Sequence, residues 1–383
     1  MSSVIPYGRQ DINAADIATV LEVLQSDFLT QGPAIERFEN AICQITGARY
    51  AVALSSATAG LHLACLALDV GVGDWVWTSP NTFVASANCA RYCGANVDFI
   101  DIEPDTGNIN LAVLTEKLAL AAQNGCLPKL LIPVHFSGRS CEMQALDQLA
   151  KQYSFVVLED AAHAIGASYQ GTPVGACQYS RASVFSFHPV KIVTTGEGGV
   201  ITTNDEALYQ RLLRLRSHGI SRDPQQMTRE SDGAWYYQQL ELGFNYRMTD
   251  IQAALGCSQL QRLSEFIARR RALVARYRTA LAELPIQLPR ADADNESAWH
   301  LFVVRVPAAK RKTIFDFLRS ENIAVNVHYI PVYLQPYYQA FGFTTGYCMA
   351  SEAYYQQAIT LPLYPALTDA QQDQIIELIK SMI

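Results

Sequence analysis

The chain has 383 residues, about half of them apolar, and a formal net charge of −7 with acidic and basic residues mixed along its length. That length predicts a large domain and a smaller one, and the charge offers no basic stripe for nucleic acid and no polybasic patch for a membrane. Nine cysteines without CxxC pairs or Cys/His metal spacing exclude a disulfide framework and a zinc module, and no apolar run approaches the roughly 20 residues that span a bilayer.

The start, MSSVIPYGRQ, lacks a charged region followed by an apolar core, so no secretory signal is read there and a reducing cytoplasm is expected. Ile17, Val20, Leu21 and Leu24 recur at helical spacing, and residues 35–45 read as a second amphipathic helix. Tyr50 to Leu54 is a short strand running into SSATAG, Ser55 to Gly60, and a helix follows through Leu68. Such a helix start presents unpaired N–H groups and a positive dipole end, and Ser55, Ser56 and Thr58 add hydroxyls. It suits a phosphate, and it equally suits an ordinary N-cap.

Trp75 to Thr78 is the next strand, followed by TSPNTFVASAN with a helix expected from near Thr82. Phe83 at that start is either core or a platform for a flat ring. Cys89 and Cys93, one helical turn apart, read as two buried thiols on one helix face. Strands at Val97 to Ile102, Leu130 to Phe136 and Phe155 to Leu158 then alternate with helices around Leu111 to Ala122 and Met143 to Tyr153. The alternation predicts a mostly parallel sheet with helices on both faces, whose ligands collect at the carboxyl ends of its strands.

At such an end EDAAHA begins, Glu159 to Ala164. A carboxylate there must be paired or chemically active: Asp160 is a candidate partner for a pyridinium N–H or a helix N-cap, and His163 touches the same ring or is a satisfied core histidine. ASVFSFHPVK, Ala182 to Lys191, is a buried strand delivering one lysine to a loop before the glycine-rich turn Gly196 to Gly199. A lysine in an apolar pocket can work as a neutral amine and join an aldehyde. Val200 to Thr203 is a return strand, Ala207 to Arg216 a helix, and residues 220–240 a loop or lid without periodicity. GFNYRMTDIQAALG, Gly243 to Gly256, reads as the opening of a long helix with Met248, Ile251, Leu255, Leu260 and Leu263 on one face. The domain boundary is placed near 260, giving a large domain over 1–260 and a small one over 261–383. In the latter, VHYIPVYLQPYY reads either as a packed tyrosine cluster or as a wall facing a sugar or ring.

Cradle, stacking ring, strand-end acid and lysine arrive in one order, the set of contacts that pyridoxal phosphate needs. Here the sequence resembles the DegT/DnrJ/EryC1/StrS sugar aminotransferases over essentially its whole length, through SDFLTQG, SSATAG, TSPNTF, EDAAHA, FSFHPVK, GEGG, SHG, GFNYRMTDIQAALG and VHYIPVY. The resemblance implies an α/β, aspartate aminotransferase-like fold (fold type I), with pyridoxal 5'-phosphate as cofactor and no metal. It implies Lys191 as the Schiff-base lysine and Asp160 as the pyridinium partner. Ser56, Ala57, Thr58 and Ser186 would hold phosphate, Phe83 would stack, and His163 would lie near the ring 3-hydroxyl. Asn245 would reach the phosphate in the partner subunit of a homodimer. Within the group the chain looks most like the pseudaminic acid pathway members, which implies L-glutamate as donor and a UDP-linked 4-keto-6-deoxy-N-acetylhexosamine as acceptor. Another nucleotide-linked keto sugar, or a dehydratase reaction, are the alternatives; the family's dehydratases carry histidine in place of the lysine. His328, Tyr329 and Tyr333 are candidate sugar contacts, with core packing as the other reading, and Arg216, Arg222, Arg229 and Arg247 are candidates for the glutamate carboxylate.

Overall fold

The computed structural model describes residues 4–290 and 297–383. The first part runs β1 (Ile5–Pro6), α1 (Ala14–Leu24), α2 (Pro33–Thr46), β2 (Tyr50–Leu54), α3 (Ala57–Ala67), β3 (Trp75–Thr78), α4 (Ala85–Tyr92), β4 (Asn96–Phe99), α5 (Leu111–Asn124), β5 (Leu130–Ile132), α6 (Met143–Tyr153) and β6 (Val156–Asp160). A small hairpin, β7 (Ser168–Tyr169) and β8 (Thr172–Pro173), leads to β9 (Ala182–Ser186), β10 (Gly199–Thr203) and α7 (Glu206–Arg216). Then come β11 (Ile220–Ser221), β12 (Gln238–Gln239), α8 (Asp250–Gln261) and α9 (Leu263–Leu281). The chain closes with β13 (Phe302–Arg305), α10 (Ala308–Ser320), β14 (Ile323–Ala324), α11 (Pro336–Gln339), α12 (Met349–Gln357), β15 (Ala358–Leu361) and α13 (Asp369–Met382).

Seven strands form the main sheet in the order β2-β10-β9-β6-β5-β3-β4. β10 is antiparallel to both neighbours and every other neighbouring pair is parallel. Apolar residues alternate across it as strand geometry requires. Val52, Leu54, Leu158, Val184 and Ile201 face one core with α3 and α7, while Ala51, Ala53, Phe185 and Val200 face another with α2 and α8. Because two antiparallel steps restore direction, β2 runs with β9, β6, β5, β3 and β4, so the carboxyl ends of all six open on one edge.

α9 passes between two cores: Leu263, Phe266 and Ile267 pack with the large unit, and Leu273, Val274, Tyr277 and Leu281 with the C-terminal one. The latter is built on the antiparallel pair β13–β15 with α10 and α13. Ile5 is buried in this second core and β1 pairs with β14, so the N-terminal strand belongs to the small unit, not to the large one where a division at residue 260 puts it.

Three further expectations change. α4 starts at Ala85, leaving Phe83 in the loop before it. Residues 220–240 are partly pinned, since β11 pairs with β12. Gly243 to Met248 is not helical: Asn245 bridges Ser217 and Arg247 bridges Leu54 as extended chain. The helix begins only at Asp250, where Thr249 and Gln252 form a reciprocal capping box. Among the described residues no helix is long and apolar enough to cross a membrane.

Candidate active site

The edge where the parallel strands end is built by neighbouring turns. Leu54, Gly199 and Ser186 lie side by side in register, so the turn after β2 and the turn before β10 meet. A Cβ on Gly199 would sit 2.5 Å from the backbone of Ser56 and from the Ala57 nitrogen, so only glycine permits this approach. Ser56 caps α3 by accepting from the Ala59 N–H at 3.1 Å. The N–H groups of Ala57 and Thr58 in the first turn have no intrahelical acceptor. Both residues are partly accessible, as is Ser186 beside them. The result is a concave set of donors at a helix start, the geometry that takes an anion.

After β9 the chain closes a loop: Phe187 N–H donates to Gly198 O, Thr195 N–H to Phe187 O, and Lys191 N–H to His188 O, all at 2.8–2.9 Å. This loop presents Lys191, which keeps part of its side chain accessible. The density of protein around its ammonium pushes its pKa down to about 8, against the opposing pull of the Asp160 carboxylate. Asp160 closes β6 and is 4 % exposed. One carboxylate oxygen accepts from Ser86 Oγ at 2.6 Å and the other from Ala162 N–H at 3.1 Å. Because the Ser86 hydrogen points at Asp160, Thr82 Oγ1 is the donor in its 2.7 Å contact with Ser86. Phe83, in the loop feeding this network, is 60 % exposed, an unusual position for a ring of that size.

Opposite lies a group of imidazoles. His163 Nδ1 accepts from Ser137 N–H at 3.3 Å, which fixes the tautomer and makes Nε2–H the donor to Tyr329 Oη at 3.2 Å. The two rings are nearly parallel, with centroids 6.2 Å apart. His300 stands 4.4 Å from His163, ring to ring. His328 is fixed by Thr360 Oγ1 at 2.8 Å. Burial, reinforced by the Lys191 charge, holds His163 and His300 well below the ordinary imidazole value and His328 at about 3, so all three are neutral. Burial keeps the Tyr329 phenol well above its usual value, hence protonated.

Most of the residues singled out in the sequence thus gather at one strand edge; three behave otherwise. Tyr333 is fully buried against Phe99, with its hydroxyl engaged by Glu352 and by Cys348 N–H, and it offers no face to a ligand. It is a packing residue, because a ring between the large-unit core and α12 has no route to the edge. His328 is also buried, its ring packed by the Tyr7 and Tyr329 rings. Asn245 is exposed beside Tyr246, whose carbonyl accepts from Ser55 N–H at 2.8 Å. Among the arginines, Arg216 is paired with Glu39 at 2.6 Å and Arg229 with Asp232, and Arg222 is exposed. Arg247 is half-buried with an unpartnered Nε.

Ser86 and His300 were not singled out in the sequence. Ser86 had a weak signal, a hydroxyl one turn beyond Thr82. His300 had none, since its neighbour His163 is 137 positions away in the chain. No group of three or more His, Cys, Asp or Glu side chains among the described residues is arranged to hold a metal.

Residues 10–380 match the DegT/DnrJ/EryC1/StrS aminotransferase family. The spore coat polysaccharide biosynthesis protein SpsC of Bacillus subtilis (strain 168) is 38 % identical over 386 aligned positions, covering 99 % of this chain and 97 % of that one. Helicobacter pylori PseC, an aminotransferase involved in the biosynthesis of pseudoaminic acid, superposes with a TM-score of 0.91 at 29 % identity over 99 % of each chain. Spr1654 from Streptococcus pneumoniae in its PLP-form gives a TM-score of 0.90 at 31 % identity, covering 99 % of this chain and 98 % of its own.

Proposed function

The chain belongs to the DegT/DnrJ/EryC1/StrS aminotransferase family, and from that premise we propose that it moves the amino group of L-glutamate onto the C4 ketone of a UDP-linked 4-keto-6-deoxy-N-acetylhexosamine. The chain is a sugar aminotransferase of fold type I and uses pyridoxal phosphate. The observation that carries the reading of its chemistry is Lys191, an amine with its pKa near 8 at the strand edge within reach of the Asp160 charge. The choice of sugar is supported by the likeness to PseC over the full length of both chains.

The residues present fit pyridoxal phosphate. The open donors of Ala57 and Thr58, flanked by Ser56 and Ser186, would take its phosphate. Phe83 would cover one face of the ring, His163 would lie near its 3-hydroxyl, and Asp160 would hold the proton on the ring nitrogen. When bound, the cofactor supplies an aldehyde that links to amines and a ring that accepts electron density from the carbon losing its proton.

Lys191 Nζ would anchor that aldehyde and, when free, would be a base close to neutrality. Nζ takes the α-proton of L-glutamate and returns a proton later in the same half-reaction; with the keto sugar the direction reverses and the proton ends on the sugar C4. Ser86 and Ala162 N–H keep the Asp160 carboxylate aimed and solvated by protein, so it need not reorganise as charge develops. With His163 Nε2–H donated to Tyr329 Oη, the Tyr329 O–H is left to donate to a substrate oxygen, and His328 supports that wall from behind. Arg247, neither paired nor free in solvent, is the candidate for the glutamate carboxylate. Asn245 is exposed beside the donor turn, which suits a homodimer whose two sites share residues.

The decisive test is the absorption spectrum of the purified protein with pyridoxal phosphate, before and after L-glutamate. Near-visible absorption that gives way to the spectrum of pyridoxamine phosphate, and among keto sugars returns only with a UDP-linked 4-keto sugar, is the expected result. No change with glutamate overturns the donor, return with dTDP- or GDP-linked sugars alone overturns the acceptor, and undiminished multiple turnover by Lys191→Ala overturns the role of Lys191.

A further inference from the structure

The loop after β3, Ser79 to Phe83, is part of the TSPNTF stretch, and the site described above uses only Thr82 and Phe83 from it. Thr82 supports Ser86 and, through it, Asp160. Asn81 turns instead towards the small unit and is 1 % exposed. Its side chain meets two backbone groups that can each play one part. Tyr329 N–H can only donate and lies 3.1 Å from Oδ1; Gly107 O can only accept and lies 3.4 Å from Nδ2. The orientation of the amide is therefore fixed. Glycine at 107 leaves room for it, because a Cβ there would stand 3.0 Å from Nδ2 and 2.6 Å from the Phe136 ring.

Among the described residues the Tyr329 amide has no backbone acceptor. Before it, the small unit holds the chain as far as His328: Asn326 and Thr360 exchange backbone hydrogen bonds, and His328 Nδ1 meets Thr360 Oγ1 at 2.8 Å. After it, Val332 N–H donates to Pro80 O at 3.0 Å. Between these two anchorages the bond to Asn81 is what ties the Tyr329 backbone to the large unit. The Tyr329 phenol, 3.2 Å from His163 Nε2, is thus aimed from a backbone that Asn81 locates. A buried asparagine there also joins the two sides of the site, since its own loop goes on to support Asp160.

We propose that Asn81 is a positioning residue for the sugar half of the reaction: by holding the Tyr329 backbone it keeps the phenol on His163, with the O–H free for an oxygen of the sugar. It acts through Tyr329 and not on the sugar itself. Without the Asn81 carbonyl a buried N–H has no acceptor, and the segment relieves that cost by shifting Tyr329 towards water. The phenol then leaves His163 and no longer faces the substrate. The effect on the sugar step rests on the function proposed above, whereas the hold on Tyr329 does not.

The test compares Asn81→Leu, which is of similar size and accepts nothing, with Asn81→Asp, which keeps an acceptor in the same place; Asn81→Ala replaces the leucine variant if that one does not fold. In protein loaded with pyridoxal phosphate, residue-resolved hydrogen exchange should show the Tyr329 amide exchanging at least about fivefold faster in Asn81→Leu, the equivalent of one neutral hydrogen bond. It should stay near wild type in Asn81→Asp, and the Val332 amide should be unchanged in both. In stopped-flow absorbance, Asn81→Leu should keep the L-glutamate half-reaction within about twofold of wild type and slow the consumption of keto sugar by enzyme preloaded with pyridoxamine phosphate at least about fivefold. Asn81→Asp should restore most of that rate. Tyr329→Phe should slow the same step, and adding Asn81→Leu to it should slow it no further. An unchanged Tyr329 amide overturns the proposal, as does equal loosening at Val332, an equal loss in both half-reactions, or additive losses in the double variant. If wild type consumes no UDP-linked 4-keto sugar, the acceptor proposed above is wrong, and the rates are read with the keto sugar that does restore the absorption; the exchange experiment decides the hold of Asn81 on Tyr329 in either case.

Discussion

Lys191 can act as a base only if its ammonium gives up a proton near neutral pH. Its ordinary pKa is about 10.5 and the folded protein lowers this to about 8. A lowered pKa on a base means the charged form is disfavoured, so the neutral fraction grows from roughly a tenth at pH 7 to about half at pH 8. The rate at which enzyme preloaded with pyridoxamine phosphate consumes keto sugar should therefore rise almost tenfold from pH 6 to 7 and level off above about 8.5. A flat profile from pH 6 to 9 in stopped-flow absorbance would contradict the assignment. Ser86 is tested beside it. Its hydrogen bond to the Asp160 carboxylate belongs to the stronger, charge-assisted class, worth about 1.5–3 kcal/mol. Ser86→Ala should lower kcat by roughly tenfold or more, leave the KM for L-glutamate nearly unchanged and leave the melting temperature within a few degrees; steady-state kinetics and calorimetry check all three. Asp160 was legible in the sequence because it closes a buried apolar strand, and Lys191 because the loop that follows another such strand delivers it, places where an ionisable group demands a reason. Ser86 was not, since its partner lies 74 positions along the chain and only the parallel sheet brings α4 over β6. Tyr333 misled because aromatic density marks a packed cluster and a ligand wall alike, and only burial separates them.

The turn between β2 and α3 keeps its concave set of donors because another turn presses against it. Gly199 allows that contact, and the Cβ of an alanine there would meet backbone atoms of Ser56 and Ala57 at 2.5 Å, where no flexible side chain can yield. Gly199→Ala should thus displace the first turn of α3 and weaken pyridoxal phosphate binding at least about tenfold, while leaving helix content unchanged. A dissociation constant equal to wild type, measured by fluorescence, would show that the cradle does not hold the phosphate. A second joint is Asp250, 1 % exposed, whose carboxylate accepts from Gly32 N–H at 2.8 Å and Ala34 N–H at 2.9 Å, fixing the start of α2 to the start of α8. Alternating strands and helices were readable from periodicity, and the sheet followed from their order. The GFNYRM segment was misread because Met248 shares helical spacing with Ile251 and Leu255, yet the sequence held the correction. Thr249 with Gln252 three residues on is a capping-box signature, and it places the extended chain before Asp250. Backbone bridges of Asn245 to Ser217 and of Arg247 to Leu54 carry no local signal, so the position of this segment beside the cradle emerged only from the fold.

The molecule is held as a unit by a chain that leaves and returns. β1 starts the sequence but pairs with β14, and Ile5 is buried in the C-terminal core. Composition could not show this, since a two-residue strand has no periodicity and its partner lies more than 300 positions away. From there the N-terminal segment passes the site: the Tyr7 ring lies 5.3 Å from that of His328, Tyr7 O accepts from Leu363 N–H at 3.0 Å, and Gly8 packs against Val190, next to Lys191. Arg270 on α9, fully buried, draws on the same junction by donating to the carbonyls of Trp299, His300 and Leu363. The segment therefore both covers small-unit core and walls the lysine loop. Removing residues 1–8 exposes the Ile5 pocket, at a cost of about 1.5–3 kcal/mol for that side chain alone, and lets water approach Lys191 from the side of Val190. The truncated protein should melt several degrees lower and its pH–rate profile should move upward, towards the ordinary lysine value, because less burial opposes the ammonium. Both shifts must appear together. A lower melting temperature with the profile still breaking near pH 8 would mean that the segment braces the small unit without shaping the lysine's surroundings.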